Sequence, residues 1–254
     1  MQPNEEVQMR AMILSGAGRY AEPWHRFDET SARLAELVAE AGFEVEVRED
    51  VDAALGSLGD DVTLLVVNAG DPDRSSVDGE PLQADAEPVV DADRAAVDDG
   101  PLAAALERGI GILAVHAAAS SLRDYAAFDR AIGGRWEYGV SWHPSFGEAR
   151  VHLVGDHAVR EGLDDFTLED ERYSSLILHD VIEPIAEHEQ DGMRHPLVWA
   201  REIGPSRLVY DALGHDTRSY DSPEHRALIA NALDWLRRVP APTATGRPPE
   251  AGAA

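Results

Sequence analysis

Four histidines stand where a chain could use them for proton transfer or metal binding. His25 closes Tyr-Ala-Glu-Pro-Trp-His, and His116 ends the apolar run Gly-Ile-Leu-Ala-Val-His. His143 sits beside Trp142 in an aromatic loop, and His215 lies in Gly214-His215-Asp216 after Leu-Val-Tyr-Asp-Ala-Leu. Imidazole titrates near neutral pH and is the commonest metal ligand, so the set points to acid–base or metal-assisted chemistry. Asp170 and Glu171, in Leu-Glu-Asp-Glu-Arg-Tyr, add carboxylates directly after a strand candidate, with Tyr173 close by. Histidines together with a carboxylate would suit Zn2+, which accepts nitrogen and oxygen ligands and keeps one position open for water. No His-Glu-x-x-His signature occurs, so such ligands would have to converge from separate loops. The other six histidines lack this placement; His188, in a charged turn, and His225, near the start of the last helix, read as surface residues.

Ligands of an open α/β sheet bind beyond the carboxyl ends of its strands, so the elements decide whether these side chains can meet. Residues 10–15 form a short apolar strand that stops at Gly16 and Gly18. A helix over about 28–41 repeats Leu34, Leu37, Val38 and Ala41 at helical spacing and ends at Gly42. Then follow an alternating strand at 43–48, a short helix at 51–58, an apolar strand at 62–67, a helix at 102–108 ending at Gly109, and a strand at 110–115. Four β units separated by helices imply a parallel, doubly wound sheet. Further strands are predicted at 149–154, 166–169, 181–187, 197–202 and 207–212. Ser222-Pro223-Glu224 opens a closing helix, with Ser as N-cap and Pro in the first turn. The segment 71–100, with ten acids, two Arg and three Pro, reads as a solvated acidic insertion.

Composition narrows the chemistry. The 254 residues carry 48 acids and 22 bases, a formal charge of −26, and every base is Arg. The absence of Cys removes disulfides, thiolate nucleophiles and Cys-ligated metals, and the absence of Lys removes Schiff bases and a P-loop. The charge repels nucleic acid, and no basic patch offsets it. The acids run along the whole chain, as expected for a halophilic protein from a GC-rich microbe with a salty cytosol. No uninterrupted apolar stretch of roughly 18 residues occurs, and Met1–Arg10 carries Glu5 and Glu6 without an apolar segment. A cytoplasmic protein without a membrane partner is expected.

Taken in order, several segments resemble the trehalose-utilization (ThuA-like) family. They are Gly-Ile-Leu-Ala-Val-His-Ala-Ala, Tyr125 with Ile132-Gly133-Gly134-Arg-Trp, His143, His157-Ala-Val-Arg-Glu-Gly162-Leu163 with Phe166, and Asp170-Glu171-Arg172-Tyr173. Pro196-Leu-Val-Trp199, Leu213-Gly214-His215-Asp216 and Asn231-Ala-Leu-Asp-Trp235 complete the series. The resemblance spans about residues 10–238, leaving 1–9 as an extension and 239–254 as a Pro-, Ala- and Gly-rich tail expected to be disordered. It implies an α/β fold like that of class I glutamine amidotransferases, a flavodoxin-like three-layer sandwich with a mainly parallel central sheet. Those enzymes place a Cys nucleophile at the strand-to-helix elbow; here that position holds His116, so thiolate amidotransfer is excluded.

Residue by residue, the resemblance selects His25, His116, His143, Glu171, Tyr173 and His215, with Asp216 as a supporting partner. It implies carbohydrate metabolism on a keto-sugar or glycoside, by isomerisation, elimination or hydrolysis. Proton abstraction beside a sugar carbonyl needs a base, His116 or Glu171, and a group that steadies the oxyanion, His143, His215 or a bound cation. Trp142, Tyr173 and Trp199 would offer apolar faces to the sugar, with His25 and Asp216 also binding it. Two other readings stay open: a Zn-type hydrolase or isomerase, its ligands drawn from His25, His116, His143, Glu171 and His215, and a non-catalytic sugar-binding or regulatory module. The expected partner is a small sugar, and a homo-oligomer is left open.

Overall fold

The structure, a computed structural model, describes residues 9–72 and 96–237. Residues 1–8 of the expected extension, 73–95 of the acidic segment and the whole expected tail lie outside them. The first half runs β1 (Arg10–Ser15), α1 (Phe27–Glu40), β2 (Glu44–Arg48), α2 (Val51–Gly56), β3 (Val62–Asn68), α3 (Gly100–Arg108) and β4 (Gly111–Val115). The second runs α4 (Ala126–Ile132), β5 (Gly134–Arg135), β6 (Gly147–Leu153), β7 (Phe166–Asp170), β8 (Ile177–Leu178), β9 (Glu183–Gln190), β10 (Met193–Ile203), β11 (Ser206–Asp211) and α5 (Pro223–Arg237).

Nine strands form one sheet in the order β2-β1-β3-β4-β11-β10-β9-β6-β7, while β5 and β8 pair separately. Neighbours from β2 through β11 are parallel. From β11 through β7 they are antiparallel, so the sheet is mixed and the expected parallel character belongs to one half of it. For β9–β10 and β10–β11 the reason lies in the connections. Two-residue turns allow only antiparallel return, and Asp191-Gly192 between β9 and β10 has both residues at positive φ, 53° and 75°. Strands β1, β3 and β4 are buried almost throughout, which explains their near-continuous apolar sequences. Sequence periodicity misses α4, which is only seven residues long. Among the described residues no helix is long and apolar enough to cross a membrane.

The loops after β1, β4 and β11 all leave the carboxyl ends of mutually parallel strands. They carry His25, His116 and His215 to one rim.

Candidate metal centre and adjoining cavity

His116 follows β4 directly, in a backbone conformation (φ 46°) that non-glycine residues seldom adopt. The chain then turns through a short 3-10 segment, His116–Ala119, and not through the α-helix expected at this elbow. The turn points the imidazole inward. Its Nδ1 lies 2.7 Å from the carbonyl of Ala212, and Tyr210 Oη donates to the carbonyl of His116 at 2.9 Å. A carbonyl only accepts, so Nδ1 carries a proton and the neutral ring keeps its lone pair on Nε2. That Nε2 is buried, has no hydrogen-bond partner, and stands 3.5 Å from Glu171 Oε2.

His25 repeats the arrangement. Its Nδ1 pairs with Glu22 Oε2, another pure acceptor, which leaves a buried and unpartnered lone pair on Nε2. Glu22 is itself fixed, accepting from the backbone N–H of Asp71 at 2.7 Å and from Trp24 Nε1 at 3.0 Å. His215 brings Nδ1 to 3.1 Å from Glu171 Oε2, and its ring centroid lies 4.9 Å from that of His25 and 5.4 Å from that of His116. One ligand atom from each of His25, His116, His215 and Glu171 lies within 4.8 Å of every other.

The electrostatics of this cluster are one-sided. Three imidazole nitrogens, His25 Nε2, His116 Nε2 and His215 Nδ1, are buried here without a hydrogen-bond partner around one carboxylate, which disfavours the site unless a proton or a cation sits there. Burial pushes the pKa of His25 down, outweighing Glu22. Burial also opposes charge on His116, but Glu171 outweighs it and raises that pKa. Burial works upward on Glu171, yet His116 and His215 hold its carboxyl well below the usual carboxylate range. Three imidazoles and one carboxylate are a donor set for a first-row divalent cation such as Zn2+. The second nitrogens of His25 and His116, tied to a carboxylate and a carbonyl, match the outer contacts that orient metal-bound histidine.

Beside the cluster opens a cavity of about 490 Å3. Trp24, Trp136, Tyr138 and Trp142 line it together with His25, His143, Glu171 and Tyr173. The Tyr173 ring packs on His116 with centroids 4.3 Å apart and on Trp136 at 4.6 Å. His143 is partly exposed to the cavity, with Nδ1 3.5 Å from Glu171 Oε1.

The predicted residues therefore separate. His25, His116, His215 and Glu171 meet at one point, while His143, Trp142 and Tyr173 face the adjoining cavity. Trp199 does not: it is fully buried on β10, packs on Tyr210 at 4.2 Å, and donates from Nε1 to the Ile132 carbonyl at 2.8 Å. Asp216 accepts from Arg218 N at 2.9 Å and from the Arg218 guanidinium, capping the turn Thr217–Asp221. His188 and His225, read from sequence as surface residues, are both buried. His188 lies on the inward side of β9, and His225 shares the inward face of α5 with Leu228 and Ile229. Glu22, Trp24, Trp136 and Tyr138 were not singled out. The spacing of Glu22 and His25, one helical turn apart beside Trp24, was the available signal for the first two.

The fold is shared with known structures. A ThuA-like protein from Parabacteroides merdae superposes with a TM-score of 0.68 at 16% identity, covering 92% of each chain. A ThuA-like protein from Bacteroides uniformis gives 0.66 at 15% identity, covering 93% of this chain and 94% of that one. PurLQS from Thermotoga maritima gives 0.52 at 13% identity, covering 90% of this chain and 99% of that one. Identity this low shows the fold and leaves the chemistry to the residues. A search of curated proteins finds no match. The sequence model of ThuA, described as trehalose utilisation, matches residues 10–236, a span that includes both the sheet and every residue of the cluster, and the chain accordingly belongs to the ThuA family.

Proposed function

We propose that this protein holds a divalent cation between His25, His116, His215 and Glu171 and acts on a sugar derivative, a keto-sugar or glycoside, in the adjoining cavity. The observation that carries this reading is the convergence of three imidazoles, each with a buried nitrogen that has no hydrogen-bond partner, on the Glu171 carboxylate. When bound, such a cation supplies Lewis acidity to a carbonyl or hydroxyl oxygen. His143, at the cavity wall and close to Glu171, is the group placed to move a proton to or from the substrate. As a ligand, Glu171 commits its lone pairs to the cation and leaves the base role to His143. Trp24, Trp136 and Trp142 present the flat apolar faces that suit the C–H surface of a sugar ring. Family membership supports a carbohydrate substrate. The parallel half, with α1 packed on α5 and α3 packed on both α2 and α4, supports a flavodoxin-like layered reading of the fold.

The test is metal analysis of the purified full chain together with turnover of keto-glycosides. About one equivalent of a first-row divalent metal is expected, with turnover lost on chelation, restored by the metal, and absent in Glu171→Gln. Less than about a tenth of an equivalent, with turnover surviving chelator, would overturn the reading.

A further inference from the structure

Glu171 and His215 reach the cluster from strands that are not neighbours. β7 and β11 are separated in the sheet by β10, β9 and β6, so no ladder of hydrogen bonds sets the distance between their ends. Asp170, the last residue of β7, spans the gap. Its carboxylate is fully buried and accepts three backbone N–H groups: Glu171 at 2.8 Å, Gly214 at 2.8 Å and His215 at 3.2 Å. Gly214 can present its N–H there because it has φ 110°, and because a Cβ would meet Tyr220 Oη at 2.6 Å and Val115 Cγ1 at 2.9 Å. A buried carboxylate is costly unless several charge-assisted bonds compensate it. Here each compensating bond falls on the backbone of a ligand residue or of the residue next to one.

We infer that Asp170 is a positioning residue that clamps the Glu171 and His215 loops together and so sets the spacing of the metal ligands. It touches neither cation nor substrate and acts through the two ligands it aligns. The inference rests on the metal reading above.

The experiment is titration of the full chain with Co2+, followed by visible absorption, in wild type and Asp170→Asn. The amide keeps one acceptor oxygen but turns an N–H2 toward backbone N–H groups. Cobalt affinity is expected to fall about 10- to 100-fold, with an altered d–d spectrum, in a protein whose near-UV circular dichroism is unchanged. A general loss of stability alone would leave the spectrum of the folded protein as in wild type. Wild-type affinity and spectrum in Asp170→Asn overturn the clamp and leave the metal centre standing. Absence of cobalt binding by wild type overturns the metal reading itself, and the clamp with it. Should Asp170→Asn fail to fold, amide hydrogen exchange on metal-free wild type decides. Protection of the Glu171, Gly214 and His215 amides supports the clamp, and exchange as fast as in exposed loops overturns it.

Discussion

His225 and His116 are both almost fully buried, both have Nδ1 on a backbone carbonyl, and both turn Nε2 toward a carboxylate. At His225 that nitrogen lies 2.7 Å from Asp211 Oδ2, with Ser219 Oγ also within 3.0 Å of Nδ1, and the ring has no valence left to offer. At His116 the corresponding nitrogen stands 3.5 Å from Glu171 and shares its surroundings with two further imidazoles. Although Ser219, His225 and Asp211 are the residue types of a hydrolytic triad, they are sealed from solvent and form a structural bond. What separates the two regions is neither residue type nor burial but whether the second nitrogen is satisfied.

The sharpest way to break this contrast is a matched pair of substitutions in metal-free protein, followed by urea unfolding. His225→Leu leaves the Asp211 carboxylate buried against an apolar neighbour, and a loss of about 4 kcal/mol is expected. His215→Leu removes a ring whose Nδ1 has no hydrogen-bond partner, and a change within about 1 kcal/mol is expected, with the loss appearing in metal binding instead. Equal losses from the two would erase the distinction.

His188 sharpens the contrast through pH. It is buried behind the site, its Nε2 lies 3.1 Å from the Tyr173 carbonyl, and its Nδ1 has no hydrogen-bond partner. Burial lowers its pKa to about 4. Above about pH 6.5 neither the folded nor the unfolded chain protonates this ring. As pH falls from there toward 4, the unfolded chain takes up a proton that the native one refuses, so stability is lost across that window, by up to about 3 kcal/mol. His225, whose pKa Asp211 raises against the cost of burial, works in the opposite direction: its contribution is fully present at low pH and fades as pH rises through its folded value. Stability measured against pH in wild type and His188→Gln should diverge below about pH 6.5, and parallel curves would refute the assignment.

The smallest expected effect concerns the aromatic residues. Trp142 faces the cavity and Trp199 the core. Trp142→Ala should weaken binding of a sugar analogue about tenfold while leaving the unfolding midpoint unchanged, as read by calorimetry. Unchanged affinity would remove Trp142 from the binding surface.

Much of this is legible in the sequence. Apolar runs and Gly stops located the first-half elements to within a few residues, because fully buried parallel strands leave a strong imprint on sequence. Loop placement after strands also picked out His25, His116 and His215. The partition of the remaining aromatic and polar residues was not legible. Trp199 and Trp142 look alike in sequence, and only the packing of β10 against the α4–β5 turn sends one of them inward. Asp170 and Glu171 are adjacent acids; strand alternation turns one toward backbone N–H groups and the other toward imidazoles.

Amino-acid composition alone settles which chemistries are absent, since no fold can supply a thiol or a side-chain amine from a chain without Cys or Lys. Amino-acid order settles the family and the strands that carry the histidines to one rim. The ligand set itself was decided by tertiary structure. Which lone pairs stay open depends on atoms from distant loops, a carbonyl at Ala212, a carboxylate at Glu22 and the Asp170 clamp, meeting at hydrogen-bonding distances that no local pattern encodes.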